Sequence, residues 1–228
     1  MIIAIDGTAA SGKGTLGRTL AMRLGLDYLD TGQLYRAVGL AVKQAGVNLE
    51  DASDETLKTL IDQLDLCQKF GPELRSSEIG ELASKVAAIA QVRASLLERQ
   101  RDFAHNPPHG KGAVLDGRDI GSVILPDADA KFFIDAAADI RATRRHLELK
   151  ARGEDIEFSE VLADIIKRDC RDKNRTVAPL IAAEDAFLID SSDKNAEEVL
   201  AICLDYLEGR INRKPSRVSE TGCACIET

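Results

Sequence analysis

Gly7-Thr8-Ala9-Ala10-Ser11-Gly12-Lys13-Gly14-Thr15 is the stretch on which the fold turns. Gly7, Gly12 and Lys13 stand at the spacing of a phosphate-binding loop (P-loop). Ahead of it, Ile2-Ile3-Ala4-Ile5 reads as a buried strand, and behind it Thr15 to Leu24 reads as a helix. In that context the small residues let the backbone curl, so that its N–H groups face phosphate oxygens. The helix N-terminus adds partial positive charge at the same point. The whole loop, Gly7 to Thr15, is therefore the candidate for holding a nucleotide's phosphates, with Lys13 as the mobile cation. Gly14 occupies the place where the general pattern has Ser or Thr, and the hydroxyl comes one residue later, at Thr15.

Working outward, short apolar runs alternate with helical patterns, the signature of a parallel sheet in an α/β domain. Further strands are expected at 27–29, 113–117, 131–135 and 186–190, and helices at 33–45, 54–64, 81–103, 138–151, 158–172 and 195–208. The helical stretch 81–103 carries an expected break near Ala90. After Gly209 the apolar periodicity stops, so 210–228 reads as a disordered tail.

Three more segments carry chemistry. Asp30-Thr31-Gly32-Gln33-Leu34-Tyr35-Arg36 opens a helix; it either holds a second anion with Thr31, Arg36 and helix amides, or is simple capping with Arg36 solvated. Asp116-Gly117-Arg118-Asp119-Ile120-Gly121 follows a buried strand. Asp116 there would lie beside the loop and orient water on Mg²⁺, and Arg118 and Asp119 would project over the crevice. Lys167 to Arg175 is a dense mixed-charge run, and Arg141 and Arg145 share one helical face. Such runs are usually solvated, but two Arg clusters in a protein with this loop suggest a mobile cover over a transferring phosphate.

Composition narrows the class. The 228 residues suit one domain with a small insertion. A net charge of −8 argues against a nucleic-acid polymer as main partner. No apolar run approaches the ~20 residues of a membrane span, and no leader peptide is apparent. Five cysteines (Cys67, Cys170, Cys203, Cys223, Cys225) lack framework spacing, which places the chain in a reducing cytoplasm. A guanine-reading Asn-Lys-x-Asp string, which a GTPase-type switch would need, is absent.

Read together, DTGQLYR (30–36), SKVAAIAQVR (84–93), LDGRDIGSVILPDA (115–128) and RDKNRTVAPL (171–180), with the Gly-Lys-Gly-Thr loop, resemble the bacterial cytidylate kinases, a branch of the nucleoside monophosphate kinases. The resemblance spans about 2–209. It implies a P-loop kinase fold with a five-stranded parallel sheet, a monophosphate-binding insertion near 46–82 and a lid near 150–178. It implies ATP as donor, Mg²⁺, CMP or dCMP as acceptor, and a monomer. By motif, Ser84, Arg93 and Asp119 would read cytosine; Thr31, Arg36, Arg118, Arg168 and Arg175 would hold or neutralise phosphate. Lys13, Arg118, Arg168 and Arg175 would be the catalytic cations, Asp172 with Arg168 would meet the sugar, and Arg141 and Arg145 would approach ATP from the lid. Thr15 and Asp116 would serve the metal. Two departures stand out. Ala9 replaces a Ser that touches the acceptor phosphate, leaving that contact absent or supplied by Thr8, and Ala90 replaces a Pro before Gln91-Val92-Arg93.

Overall fold

The computed structural model describes residues 1–49, 51–64 and 71–211. Cys67, Cys223, Cys225 and the tail expected over 210–228, beyond Ile211, lie outside the described residues. Five strands, β1 (Ile2–Gly7), β2 (Asp27–Asp30), β3 (Ala113–Gly117), β4 (Ala130–Asp135) and β5 (Phe187–Asp190), form one sheet in the order β2-β3-β1-β4-β5. Every pairing is parallel. The helices are α1 (Lys13–Leu24), α2 (Thr31–Gln44), α3 (Asp54–Asp62), α4 (Ser77–Val86), α5 (Ala90–His105), α6 (Ala138–Ala151), α7 (Phe158–Asn174) and α8 (Ala196–Ile211).

The expected strands and helices are present, with shifted ends. Helices α1 and α2 open two residues early, at Lys13 and Thr31, which brings their N-terminal amides to the strand ends. The break near Ala90 is real: α4 stops at Val86 and α5 starts at Ala90, with the Arg93 N–H on the Ile89 carbonyl. The last helix continues to Ile211 rather than stopping at Glu208. A π-turn at Ile120–Ile124, after β3, was not foreseen.

Strand periodicity divides the core. Ile3 and Ile5 face α1 and α8, packing with Leu16, Leu20, Phe132 and Cys203, while Ala4 and Leu115 face the opposite side, with Ala104 and Ile120. A third cluster joins α2, α3, α4 and α5 through Val38, Ile61, Val86 and Leu96. Gly39 allows α2 and α4 to come close, since a Cβ there would sit 3.2 Å from the Ala83 nitrogen. A fourth cluster pairs α6 with α7 through Ala142, Leu149, Val161 and Ile165. No helix among the described residues is long and apolar enough to cross a membrane.

Register places all five strand C-termini along one edge, and each ends at or next to an aspartate: Asp6, Asp30, Asp116, Asp135 and Asp190. Asp6 has the most structural task. Its Oδ1 and Oδ2 accept from Ile120 N and Gly121 N at 2.7 Å each, which clasps the π-turn onto β1. Burial pushes its carboxyl up to about 6, against the opposing pull of those two N–H groups. Asp6→Asn would aim an amide N–H at a backbone N–H and leave a buried donor unpaired. A loss of about 1–3 kcal/mol in urea unfolding is expected; an unchanged midpoint would show that the clasp carries no stability.

Candidate active site

The loop between β1 and α1 is fastened from beneath at nearly every residue. A Cβ at Gly7 would overlap the Ile134 carbonyl, so β4 passes too close for any larger residue. The Thr8 hydroxyl is fully buried and donates to Asp135 Oδ1 at 2.6 Å. That corrects one of the two expectations at the loop: Thr8 is turned under the loop and does not supply the hydroxyl that Ala9 lacks. Arg141 Nη1 donates to the Ala9 carbonyl at 3.0 Å, and Ser191 Oγ donates to the Ser11 carbonyl at 3.2 Å. Ser11 Oγ donates to the Thr8 carbonyl. Lys13 Nζ folds back onto the same carbonyl at 3.1 Å. Gly12 takes φ 91°, the left-handed region that glycine enters at little cost, and Ala10 takes φ 60°. With the carbonyls engaged below, the loop's N–H groups are left to face an anion.

Beside the loop lies a cavity of about 240 Å³. It brings together Lys13, Thr31, Arg36, Ser84, Arg93, Asp116, Arg118, Asp119, Arg168, Asp172 and Arg175, which come from six separate segments of the chain and were all named from the sequence. At its inner end Asp119 is buried between two guanidinium groups: Arg93 Nη2 donates to Oδ2 and Arg175 Nη2 to Oδ1 at 3.0 Å. Arg175 therefore stands with Asp119 at the inner end of the cavity, with its Nε on the Ala178 carbonyl, and away from Lys13, Arg36 and Arg168. Tyr35, which the sequence reading quoted but gave no role, lies under the Arg93 guanidinium, 5.9 Å from ring centroid to carbon. Midway, Asp172 accepts from Ser84 Oγ at 3.2 Å and Arg118 Nε at 2.9 Å. Thr31 does not cap α2. Its hydroxyl donates to the Asp116 carbonyl at 2.8 Å, so an anion there would meet the helix amides instead.

A second cavity, of about 350 Å³, opens above Ala9 and Ala10, between α4 and the α6–α7 pair. Arg36, Arg145, Arg168 and Arg171 line it. Arg36 donates to the Leu74 carbonyl, and Arg145 pairs with Glu148 at 2.8 Å. Arg141, expected to approach ATP directly, is instead buried below the loop, against Ala9, Ala136 and Asp169.

The cations crowd one another. Burial, with Arg118 and Arg168 beside it, lowers Lys13 to about 7, against the pull of Asp116. Burial and Arg118 lower Arg168 to about 9, and its buried Nε has no hydrogen-bond partner. Burial and Arg145 also lower Arg36. Burial and neighbouring Asp30 raise Asp116 to about 7. Burial would raise Asp172 as well, but Arg118 and Arg168 outweigh it and hold that carboxyl below the usual range. This is a set of positive groups whose desolvation and mutual repulsion a polyanion would relieve.

The site also fits a hard cation. Asp116 Oδ2 lies over the start of α1, 3.4 Å from where a Gly14 Cβ would stand, and Tyr28 donates to Oδ1 at 3.1 Å. Thr15 is exposed at the first turn of α1. Among the described residues no three His, Cys, Asp or Glu side chains converge as a metal cage. One carboxylate and a hydroxyl suit Mg²⁺, which keeps several waters and takes the rest of its shell from phosphates.

Known proteins agree with this geometry. The cytidylate kinase family model matches residues 3–209. A cytidylate kinase of Azorhizobium caulinodans is 54% identical over 209 residues, covering 91% of this chain and 98% of that protein. One of Bradyrhizobium diazoefficiens is 52% identical over 209 residues, covering 91% and 96%. Among solved structures, an uncharacterized protein of Eubacterium ventriosum aligns with a TM-score of 0.52 at 15% identity over 91% of this chain and 98% of that one, a likeness of fold alone. With the four sequence strings converging on one cleft and half the residues shared across nine-tenths of the length, the chain belongs to the cytidylate kinase family.

Proposed function

We propose that this protein transfers the terminal phosphoryl group of ATP to CMP or dCMP, releasing ADP and the pyrimidine diphosphate. The observation that carries the reading is Asp119, fixed by Arg93 and Arg175 at the inner end of a pocket whose other end is the phosphate cations. An ionised carboxylate has about four lone-pair sites. Asp119 can therefore hold both arginines and still accept from the amino group of cytosine, while Arg93 donates to the ring's acceptors. Uracil would set a carbonyl against Asp119, lone pair to lone pair.

The chemistry then needs positioning more than proton transfer. The acceptor is a phosphate monoester with a second pKa near ~6, already an anionic nucleophile at neutral pH. The histidines agree with that: His109 pairs with Asp27, His146 meets the Ile156 carbonyl, and His105 ends α5, none of them lining either cavity. Lys13 and the loop amides hold the donor phosphates. Arg36, Arg118 and Arg168 neutralise charge between donor and acceptor. Asp172, held by Ser84 and Arg118, presents its carboxylate to the sugar. Mg²⁺ bound with ATP supplies further charge neutralisation on the phosphates, with Asp116 and Thr15 as the residues that would hold it. The segment near 46–82, with α3, serves as the monophosphate-binding insertion, and the segment near 150–178, with α7, as the lid that excludes water. The protein works on small nucleotides in the cytoplasm.

Removing the loop cation by Lys13→Ala is expected to lower kcat by ~10²-fold or more, because developing phosphate charge loses its partner. A folded variant with near-normal turnover would contradict the loop assignment.

Base choice gives a sharper test. Asp119→Asn exchanges an acceptor-only group for one that also donates. CMP kcat/KM should fall by about 1–3 kcal/mol in apparent barrier, and the UMP-to-CMP ratio should rise. Arg118→Ala should harm both acceptors alike. An unchanged ratio in Asp119→Asn would remove that residue from base reading.

Proton linkage follows from the crowded charges. Burial and the neighbouring arginines lower Lys13, and burial with Asp30 raises Asp116, so each exchanges a proton readily when charge arrives beside it. Metal-free ATP brings negative charge and raises both values, so binding takes up protons. Calorimetry at pH 8 in two buffers of different ionisation enthalpy should show that uptake; identical apparent enthalpies would exclude it.

A further inference from the structure

Arg141 is 4% exposed and makes three contacts that join three parts of the molecule. Its Nη1 donates to the Ala9 carbonyl in the phosphate loop at 3.0 Å, and its Nε to the Ala136 carbonyl just after β4 at 2.7 Å. Its Nη2 pairs with Asp169 Oδ2 on α7 at 2.6 Å. Asp169 is itself 8% exposed, and its second oxygen, Oδ1, is buried without a hydrogen-bond partner, so Arg141 is its one ionic contact among the described residues. Asp169 follows Arg168 directly, and one helical turn from Arg168 stands Asp172. Beside this pair, Ala10 packs its methyl against the cluster formed by Ala142, Leu149, Val161 and Ile165. It does so at φ 60°, a conformation that costs a non-glycine residue of order 1 kcal/mol and that glycine adopts freely.

We propose that Arg141, Asp169 and Ala10 are positioning residues that dock the α6–α7 pair onto the phosphate loop, so that Arg168 and Asp172 on α7 stand at a fixed offset from the loop that holds the donor. This rests on the phosphoryl-transfer reading. Two independent attachments meet at adjacent residues of the loop: a buried ion pair through the Ala9 carbonyl, and an apolar contact through the Ala10 methyl. A strained alanine where glycine would be unstrained is the mark of a methyl that is used. The loop and α7 then move as one body. A lid closing on the nucleotide would carry the loop's carbonyl face with it instead of sliding over a static loop. Arg141 acts from beneath and touches no nucleotide, whereas Arg145, one turn later, faces the open cavity.

The test compares Ala10→Gly, Asp169→Asn, Arg141→Met and the Arg141→Met/Asp169→Asn double variant, with the exposed Glu208→Gln on α8, outside the lid, as a control for a lost surface charge. Three quantities are measured for each: ADP affinity by calorimetry, CMP affinity alone, and kcat with saturating ATP and CMP. The proposal expects kcat to fall by up to about 10²-fold in Asp169→Asn and Arg141→Met, as small misplacements of reacting groups do. CMP affinity, held mainly by residues outside α7 such as Asp119 and Arg93, should fall by much less than kcat, and the double variant should lose no more than the worse single one, because the pair acts as one unit. Ala10→Gly, which relieves strain and cannot prevent folding by overpacking, should weaken ADP binding and slow turnover. Glu208→Gln should match wild type. The proposal is overturned if Ala10→Gly melts higher with unchanged kcat, if the two losses simply add, or if CMP affinity falls in step with kcat, as general unfolding would make it. A wild type that does not phosphorylate CMP would sink the functional reading instead; ADP affinity would still report whether the docking holds.

Discussion

Repulsion among half-buried cations is the constraint around which this molecule is built. Lys13, Arg36, Arg118 and Arg168 converge on one cleft, and burial together with their neighbours pulls Lys13, Arg36 and Arg168 toward the neutral form. Like charges a few ångströms apart away from bulk water repel by several kcal/mol per pair, at an effective dielectric of about 20. The fold tolerates this because each cation is tied down locally: Arg118 to Asp172, Arg36 to the Leu74 carbonyl, Lys13 to the Thr8 carbonyl. What remains is positive charge, including an Arg168 Nε without a hydrogen bond, that the phosphates of the proposed reaction would offset. On the proposed reading, binding energy and catalysis come from the same preorganised charges.

The two ends of the smaller cavity divide the work by electrostatics. At the inner end positive and negative groups balance, with Asp119 between Arg93 and Arg175, and what is left over is directional hydrogen bonding suited to a neutral base. Toward the loop the balance is broken in favour of cations, which suits phosphate. Asp172 sits between, held by Ser84 and Arg118, where the proposed reading places the sugar. The Asp6 clasp supports this gradient from below, since it fixes the π-turn that immediately follows Arg118 and Asp119.

Much of this was legible in the chain, and the part that was legible is local. The loop from Gly7 to Thr15, the aspartate-ended strands and the four strings shared with a known family are each written within a few residues. They placed eleven side chains that meet in one cavity. What the sequence could not show depends on partners far apart. Asp6 finds Ile120 across 114 positions, and Arg141 finds Ala9 across 132. Helical periodicity put Arg141 and Arg145 on one face and gave them one role. Yet Arg141, in the first turn of α6, is buried under the loop, while Arg145 one turn later lines the open cavity, so the two arginines stand in different surroundings. Thr8 misled for a similar reason: a hydroxyl in a phosphate loop suggests a ligand contact, and only the position of Asp135 on β4 reveals that it points inward. Arg175 was grouped with the phosphate cations by the family motif, and its bond to Asp119 places it at the other end of the cavity.

The central claim is that a cytosine-reading carboxylate and a phosphate-reading cation cluster are joined in one pocket to make a phosphoryl-transfer site. Its most direct test is ADP formation from ATP and Mg²⁺ by the purified chain, measured as kcat/KM across CMP, dCMP, UMP and AMP. The account predicts ADP formation that depends on the acceptor, with CMP or dCMP preferred over UMP by a large factor, up to ~10⁴-fold where a buried polar partner is left unpaired. Equal use of UMP and CMP, or ADP formation at the same rate with no acceptor present, would contradict it.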